Sequence, residues 1–392
     1  MNLCIPYASV YMLALGLKDT QVGFVATVYL FSQMVFSFLS GAFVDKLGRR
    51  LSTAVFDVIA FVIPCIIWWQ AVNFWFFFVA AFLNGAMKVS QVSWNCLLVE
   101  DADKDQIPHL FSLVIVSGQL CAFFAPISSI LVSRLTLVPA VRILYINALI
   151  LMSLKIILLY LFCNESRIGQ AEMKNSRGKS ISQLTARNRG TAKIIFKSRG
   201  ISLSLLLLLL VGIVGLINST FWQVIASKKL FLPDPLLPLF PVIKSVLSIF
   251  FLFIIMPHIT GDRLKIPFLA GFICYFIGQL LLVCVPAEGS ARYLLLSVSL
   301  IFDGFGFGSL TVLTESLVAF NINPEERARI LSILYVIVMA ATAPFGWIGG
   351  LLSDISRDLP FILNLFLLVL GVAVTLIYYK KPKEGTVHEP QG

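Results

Sequence analysis

The chain alternates long apolar runs with short polar turns from one end to the other. Twelve runs of roughly 20 residues, the length that crosses about 30 Å of hydrocarbon at 1.5 Å per residue, can be placed along it. They lie near residues 2 to 16, 22 to 44, 52 to 71, 74 to 98, 108 to 133, 140 to 163, 200 to 225, 236 to 256, 266 to 285, 292 to 318, 328 to 353 and 360 to 379. Each run is continuous rather than alternating in and out, which predicts helices and not barrel strands. The first run is the odd one. It has about 15 residues before the turn Lys18-Asp19-Thr20-Gln21 and would reach only about 23 Å, so a short first helix is expected.

Composition agrees with lipid as the solvent. With 58% hydrophobic residues, 13% charged residues and a mean hydropathy of +0.92, the chain is far from soluble domains, which run near a quarter charged. The net charge of +10 does not point to nucleic acid, because the bases sit in short turns between apolar runs. Of the 30 bases, 20 fall on the side of the 45 to 51 turn, seven on the other side and three within runs, at Lys88, Lys155 and Lys244. The positive-inside rule makes the richer side cytoplasmic. Twelve spans then put both termini in the cytoplasm, and the plasma membrane is the expected location. No cleavable signal peptide is expected, since the first run has neither a basic start nor a small-residue cleavage site.

Residues 164 to 199 form the one long polar interval, with nine bases against Glu165 and Glu172. The interval divides the chain into residues 1–163 and 200–379, each with six runs, and leaves 380–392 as a cytoplasmic tail. A basic segment beside the inner leaflet attracts anionic lipid, and Ile181, Leu184, Ile194, Ile195 and Phe196 could form an amphipathic surface helix there; a plain flexible linker is the alternative. The two halves read as repeats. Glu100 matches Glu315, and Ala125-Pro126 matches Ala343-Pro344 at intervals of similar length.

The turn after the second run reads Gly41-Ala42-Phe43-Val44-Asp45-Lys46-Leu47-Gly48-Arg49-Arg50. This G-x-x-x-D-K-x-G-R-R pattern resembles the signature loop of the major facilitator superfamily, which links the second and third membrane helices on the cytoplasmic side. The resemblance implies two six-helix bundles, a secondary transporter working by alternating access, and a substrate site between the bundles near the midplane. Its counterpart, Gly261-Asp262-Arg263-Leu264-Lys265, is worn, with His258 at the first glycine position. The loop is expected to act as a conformational switch. Asp45 would meet the positive end of the eleventh helix, Arg49 or Arg50 would pair with Glu100 or Asp101, and Gly41 and Gly48 would allow close approach and a tight turn.

Aligning the halves on Glu100 and Glu315 brings Lys88 opposite Asp303. A charge at the centre of a membrane helix costs about 2.5 to 3.5 kcal/mol on insertion scales, so both need a partner or a wet cavity. In the family, helices 1, 4, 7 and 10 line the cavity, which makes Lys88 and Asp303 candidate substrate- or proton-binding residues. Asn84, Lys88, Gln91 and Asn95 share one helix face at spacings of four, three and four. Tyr29 and Gln33 in the second run, Tyr7 with Tyr11 in the first, Asn218 with Trp222 in the seventh and Tyr335 in the eleventh extend the set. Lys155 is expected to snorkel, and Asp57 to pair with the signature-loop bases. Gly304 and Gly308 are spaced for close helix packing.

Enzyme signatures are absent. There is no H-E-x-x-H and no G-x-S-x-G, and His109, His258 and His388 lack metal spacing. Seven scattered cysteines without a C-x-x-C pair read as small apolar residues. No cofactor or metal is expected, and a monomer is. The expected partners are lipid and a small organic solute, with protons as the coupling ion in one of two schemes. Either Asp303 carries a proton, because burial penalises a charged carboxyl, or Lys88 and Asp303 form an ion pair that opens and closes. Direction is open: drug exporters of the superfamily carry a G-x-x-x-G-P-x-x-G-G stretch where this chain has Cys121, Ala125, Pro126, Ser129 and Ile130. A transporter-like sensor or scaffold is the alternative from another class.

Overall fold

The computed structural model describes residues 3–101, 110, 114, 117–118, 124, 126–179, 195, 197–250, 264–286, 288–289, 291–321 and 327–378. Among them every regular element is helical, and nine spans are long and apolar enough to cross a membrane. After a 3-10 turn at Ile5–Tyr7 come α1 (Ala8–Ala14), α2 (Asp19–Leu47), α3 (Arg49–Asp57), α4 (Ile63–Trp69), α5 (Phe74–Asn84) and α6 (Met87–Val99). The first half closes with α7 (Ile127–Leu135) and α8 (Leu137–Phe162), and α9 (Arg167–Asn175) follows. The second half holds α10 (Arg199–Lys228), α11 (Leu239–Phe250), α12 (Lys265–Cys284), α13 (Ala291–Asn321), α14 (Arg327–Thr342), α15 (Pro344–Ile355) and α16 (Leu359–Tyr378). Each expected apolar run thus contains helix. The first is short as expected, and much of the fifth and part of the eighth lie outside the described residues, as do the worn 261 to 263 turn and the side chain of Lys244.

Three spans are interrupted, each for a local reason. Between α3 and α4 the chain forms a π turn at Val58–Val62. Pro64 has no N–H to return to the carbonyl of Ala60, and the Asn84 amide donates to that carbonyl at 2.6 Å instead. The fourth span breaks at Gly85-Ala86, where a Cβ on Gly85 would lie 2.5 Å from Ser32 Cβ and 2.8 Å from Gln33 N. The close crossing of α2 therefore sets the break. Pro344 separates α14 from α15, and its consequence appears at the contact between halves.

Within the first half α2 packs on α5 and α6, α3 on α6, and α4 on α5 and α8. In the second, α13 packs against α10, α11 and α12, and α16 against α10 and α12. The α12–α13 crossing is backbone-close. A Cβ on Gly278 would fall 2.8 Å from Asp303 Cα, and one on Gly306 2.6 Å from Tyr275 Cα. The halves meet chiefly through α2 against α14 and α15, with α1 against α10 beside them.

Candidate functional site

The break before α6 places Lys88 in that helix's first turn, half-buried, with Nζ 3.2 Å from Gln91 Oε1. Gln91 and Asn95 are exposed one and two turns along the same face. Ser90 and Ser93 occupy the opposite face and are buried against α3. Gln33 is buried on α2, and Tyr29 donates to Met87 Sδ at 3.2 Å, next to Lys88. One member of the expected stripe leaves it: Asn84 is spent on the π turn of the third span.

In the second half Asp303 is 1% exposed. Asn218 of α10 donates to its Oδ1 at 2.8 Å, and Gln279 of α12 donates to the same oxygen. Asn218 Nδ2 also lies 3.0 Å from the Tyr275 hydroxyl, and Asn364 of α16 donates to Gln279 Oε1 at 3.0 Å. Three helices therefore meet at one carboxyl, and a fourth joins them through Gln279. Trp222, on the same helix as Asn218, is 3% exposed and packs in the apolar core. Tyr335 is further away, donating to Glu315 Oε2 at 2.5 Å. Lys88, whose polar contact is Gln91, does not pair with Asp303 in this state. The two expected partners instead organise separate groups, one in each half.

The signature loop is assembled within the first half. Gly48 ends α2 with φ +83°, a conformation that favours glycine, and a Cβ there would meet Glu165 Oε2 at 2.7 Å. Arg49 is 5% exposed; its Nε lies 3.0 Å from Glu100 Oε1 and its Nη1 3.2 Å from Asp45 Oδ1. Glu165 accepts from the backbone N–H groups of Arg49 at 2.7 Å and Arg50 at 2.9 Å, an acid at the positive end of α3. Arg50 stacks over the Tyr160 ring at 4.2 Å. Of the expected pairings, Arg49 with Glu100 forms. Asp101 instead accepts from the backbone of Arg167 at 3.4 Å, where α9 begins. Among the described residues Gly41 makes no close approach: a Cβ there would meet none of them within 4 Å.

That opposite end is a seam between halves. A Cβ on Gly23 would overlap the Gly346 carbonyl, and one on Gly350 would lie 2.8 Å from Asp19 O, so α2 and α15 cross almost backbone to backbone. At the Pro344 break the Thr27 hydroxyl donates to Ala343 O at 2.7 Å and accepts from Trp347 N at 2.8 Å, replacing the helical bond between those residues. At the rim Ser353 donates to Asp19 Oδ2 at 2.7 Å, Arg357 Nε lies 3.5 Å from the same oxygen, and Thr20 bonds Asp354.

Other expectations change on contact with neighbours. Asp57 does not pair with the signature-loop bases: it is 2.7 Å from Lys155 Nζ and accepts from Ser90 at 2.5 Å. Lys155 reaches inward to this buried acid, because a carboxylate one helix away stabilises the ammonium more than a path to the interface does. Tyr7 and Tyr11 are fully buried, and the Tyr11 hydroxyl donates to Trp68 O at 3.0 Å. On α13 a close backbone approach is made by Gly306, and Gly304 and Gly308 on either side of it are buried. Of the linker's expected amphipathic residues, Ile181, Leu184, Ile194 and Phe196 lie outside the described residues, while Ile195 is fully buried. Tyr275, Gln279 and Asn364 were not expected in the site. Their signal is an amide or hydroxyl alone in an apolar span, with Tyr275 and Gln279 one turn apart.

The family model described as Major Facilitator Superfamily matches residues 1–266. No curated protein matches the chain in sequence. Among solved structures, the fold is similar to that of a point mutant of the nucleoside transporter NupG, at 15% identity, 97% of each chain and a TM-score of 0.74. It is similar to a POT family transporter in complex with a thioalcohol-conjugated peptide, at 14% identity, 96% and 92% coverage and a TM-score of 0.72. The inward-open xylose transporter XylE from E. coli aligns at 14% identity, 97% and 92% coverage and a TM-score of 0.68. With the signature loop, the helical spans and a family match over more than half its length, this chain belongs to the major facilitator superfamily and is a multi-pass membrane protein.

Proposed function

We propose that the protein is a secondary transporter of a small polar or amphipathic organic solute, with residues 1–163 and 200–379 rocking about a midplane site. The observation that carries this reading is the unequal fastening of α2, joined to the other half near Asp19 and to its own half near Asp45. A bundle pair held at one end is one arm of an alternating-access cycle. With the signature-loop end cytoplasmic and both termini on that side, the seam near Asp19 closes the outside of the plasma membrane, and this state faces inward. The related folds named above carry nucleosides, peptides and xylose, all polar organic solutes, which supports the solute class.

Within the site, Lys88, Gln91, Asn95, Tyr29 and Gln33 supply a base, amides and a phenol for solute recognition. Asp303 is the proton carrier in this scheme. Its neighbours Asn218 and Gln279 bear amides, each offering both donors and an acceptor, so a flip lets the same network hold a carboxylate or a carboxylic acid. Counterflow of labelled nucleosides, dipeptides and sugars in proteoliposomes tests the transport reading directly, and no counterflow of any of them would count against it. For the coupling, Asp303→Asn is expected to abolish accumulation driven by a proton gradient while leaving exchange intact. Lys88→Ala is expected to alter affinity chiefly. Uphill transport at the wild-type rate in the Asp303 variant would remove Asp303 from the mechanism.

A further inference from the structure

The short helix α9 lies under the signature loop. Gly169 sits against Arg49 and Glu165, Met173 against Gly48, and the Ser176 hydroxyl donates to Asp45 O at 2.8 Å. Between α9 and the last turn of α2 is a groove of about 460 Å³ lined by Lys46, Lys174 and Arg177 together with Gln170, Met173 and Ser176. Among the described residues, three cations and no carboxylate line it. None of the three is in an ion pair among the described residues, whereas Arg49 nearby has two. Lys46, Lys174 and Arg177 are exposed, so their ammonium and guanidinium groups reach solvent at the mouth of the groove. Residues 170, 174 and 177 fall on one face of the helix and its following turn, opposite Ile168, which is exposed.

Convergence of two ammonium groups and one guanidinium fork around an uncompensated groove is the chemistry of phosphate recognition, since the fork binds two oxygens at once and the ammonium groups neutralise the remaining charge. We propose that this groove is a binding site for a phosphomonoester-bearing anion, held by Lys46 on α2 and by Lys174 and Arg177 on α9. The site goes beyond the transport reading and uses none of its solute-binding residues. Bound there, the anion ties α9 to the end of α2 and so strengthens the Ser176 contact with Asp45 in the conformation described here. A lipid headgroup and a soluble phosphate share this chemistry.

The test uses the full-length protein. Binding is measured to dioctanoyl phosphatidylinositol 4-phosphate in phosphatidylcholine nanodiscs and, separately, to soluble inositol hexakisphosphate without anionic lipid. Wild-type protein is expected to bind at least one of the two, more weakly as salt rises. The K46Q/K174Q/R177Q triple variant is expected to lose about tenfold or more in affinity, while K179Q, outside the groove lining, keeps wild-type affinity. Binding of the lipid alone assigns a headgroup site, and equal or tighter binding of the soluble anion assigns a cytosolic ligand. Wild-type protein that binds neither probe, or a folded triple variant that binds as wild type does, overturns the proposal. Folding of the variant is checked by its size-exclusion profile and thermal unfolding midpoint.

Discussion

The two ends of α2 are built from different interactions. Near Asp45 the helix is held to its own half by a buried arginine shared between Asp45 and Glu100, with Glu165 on the adjoining backbone. Near Asp19 it is held to the opposite half by glycine-to-glycine backbone approach, one bridging hydroxyl and a rim pair in which Asp19 is buried and Arg357 is 40% exposed. A buried ion network is costly to break, because each released charge is left in a poor solvent. Backbone contacts and rim groups are different: when they part, water or a small shift satisfies them at little cost. The joint that is costly to part and the one that parts cheaply therefore lie on a single helix. The rocking proposed above needs that division.

Four substitutions probe the contrast, beginning with the strongest. Arg49→Ala leaves Glu100 and Asp45 without their shared cation in a site where Glu100 is only 10% exposed, and a loss of about 3–5 kcal/mol in stability is expected. Thermal unfolding in detergent checks it; an unchanged midpoint would mean that the cluster is not the costlier joint. Gly346→Leu drives a side chain into Gly23 O and Thr27 N. Overpacking of about 1–3 kcal/mol should fall on the seam alone. Spin-label distances across α2 and α15 are expected to lengthen while those within each half stay fixed, and a uniform loss of structure would contradict a local seam.

Thr27→Val removes the hydroxyl that both accepts from Trp347 N and donates to Ala343 O. Leaving the Trp347 N–H without its acceptor, and Ala343 O with the Gly346 N–H alone, is expected to cost about 1–2 kcal/mol of the closed seam, read as a larger open fraction in the same distance measurement. Thr27→Ser should restore it. Arg357→Gln acts on a rim charge that is 40% exposed, and an effect of about 0–1 kcal/mol, shrinking as salt rises, is expected from the same populations. A rim effect exceeding that of Thr27→Val would reverse the ranking of backbone over charge.

The apolar runs, the signature loop and the pairing of one of its arginines with an acid at the end of the fourth run could be read from the sequence because each depends on local rules. A span needs about 20 apolar residues, a tight turn needs glycine at positive φ, and a buried arginine needs an acid. Asp303 could be singled out for the same reason: a lone acid deep in an apolar helix must be satisfied by something. Which groups satisfy it was decided only when α10, α12, α13 and α16 came together, setting Asn218 and Gln279 on one oxygen and leaving Lys88 with Gln91. The same holds for Lys155 turning to Asp57, for Asn84 leaving its stripe to meet Ala60, and for Thr27 entering the break at Pro344. Spacing along a helix fixes which side chains share a face, but the neighbour on that face is chosen by helix crossings between residues far apart in sequence.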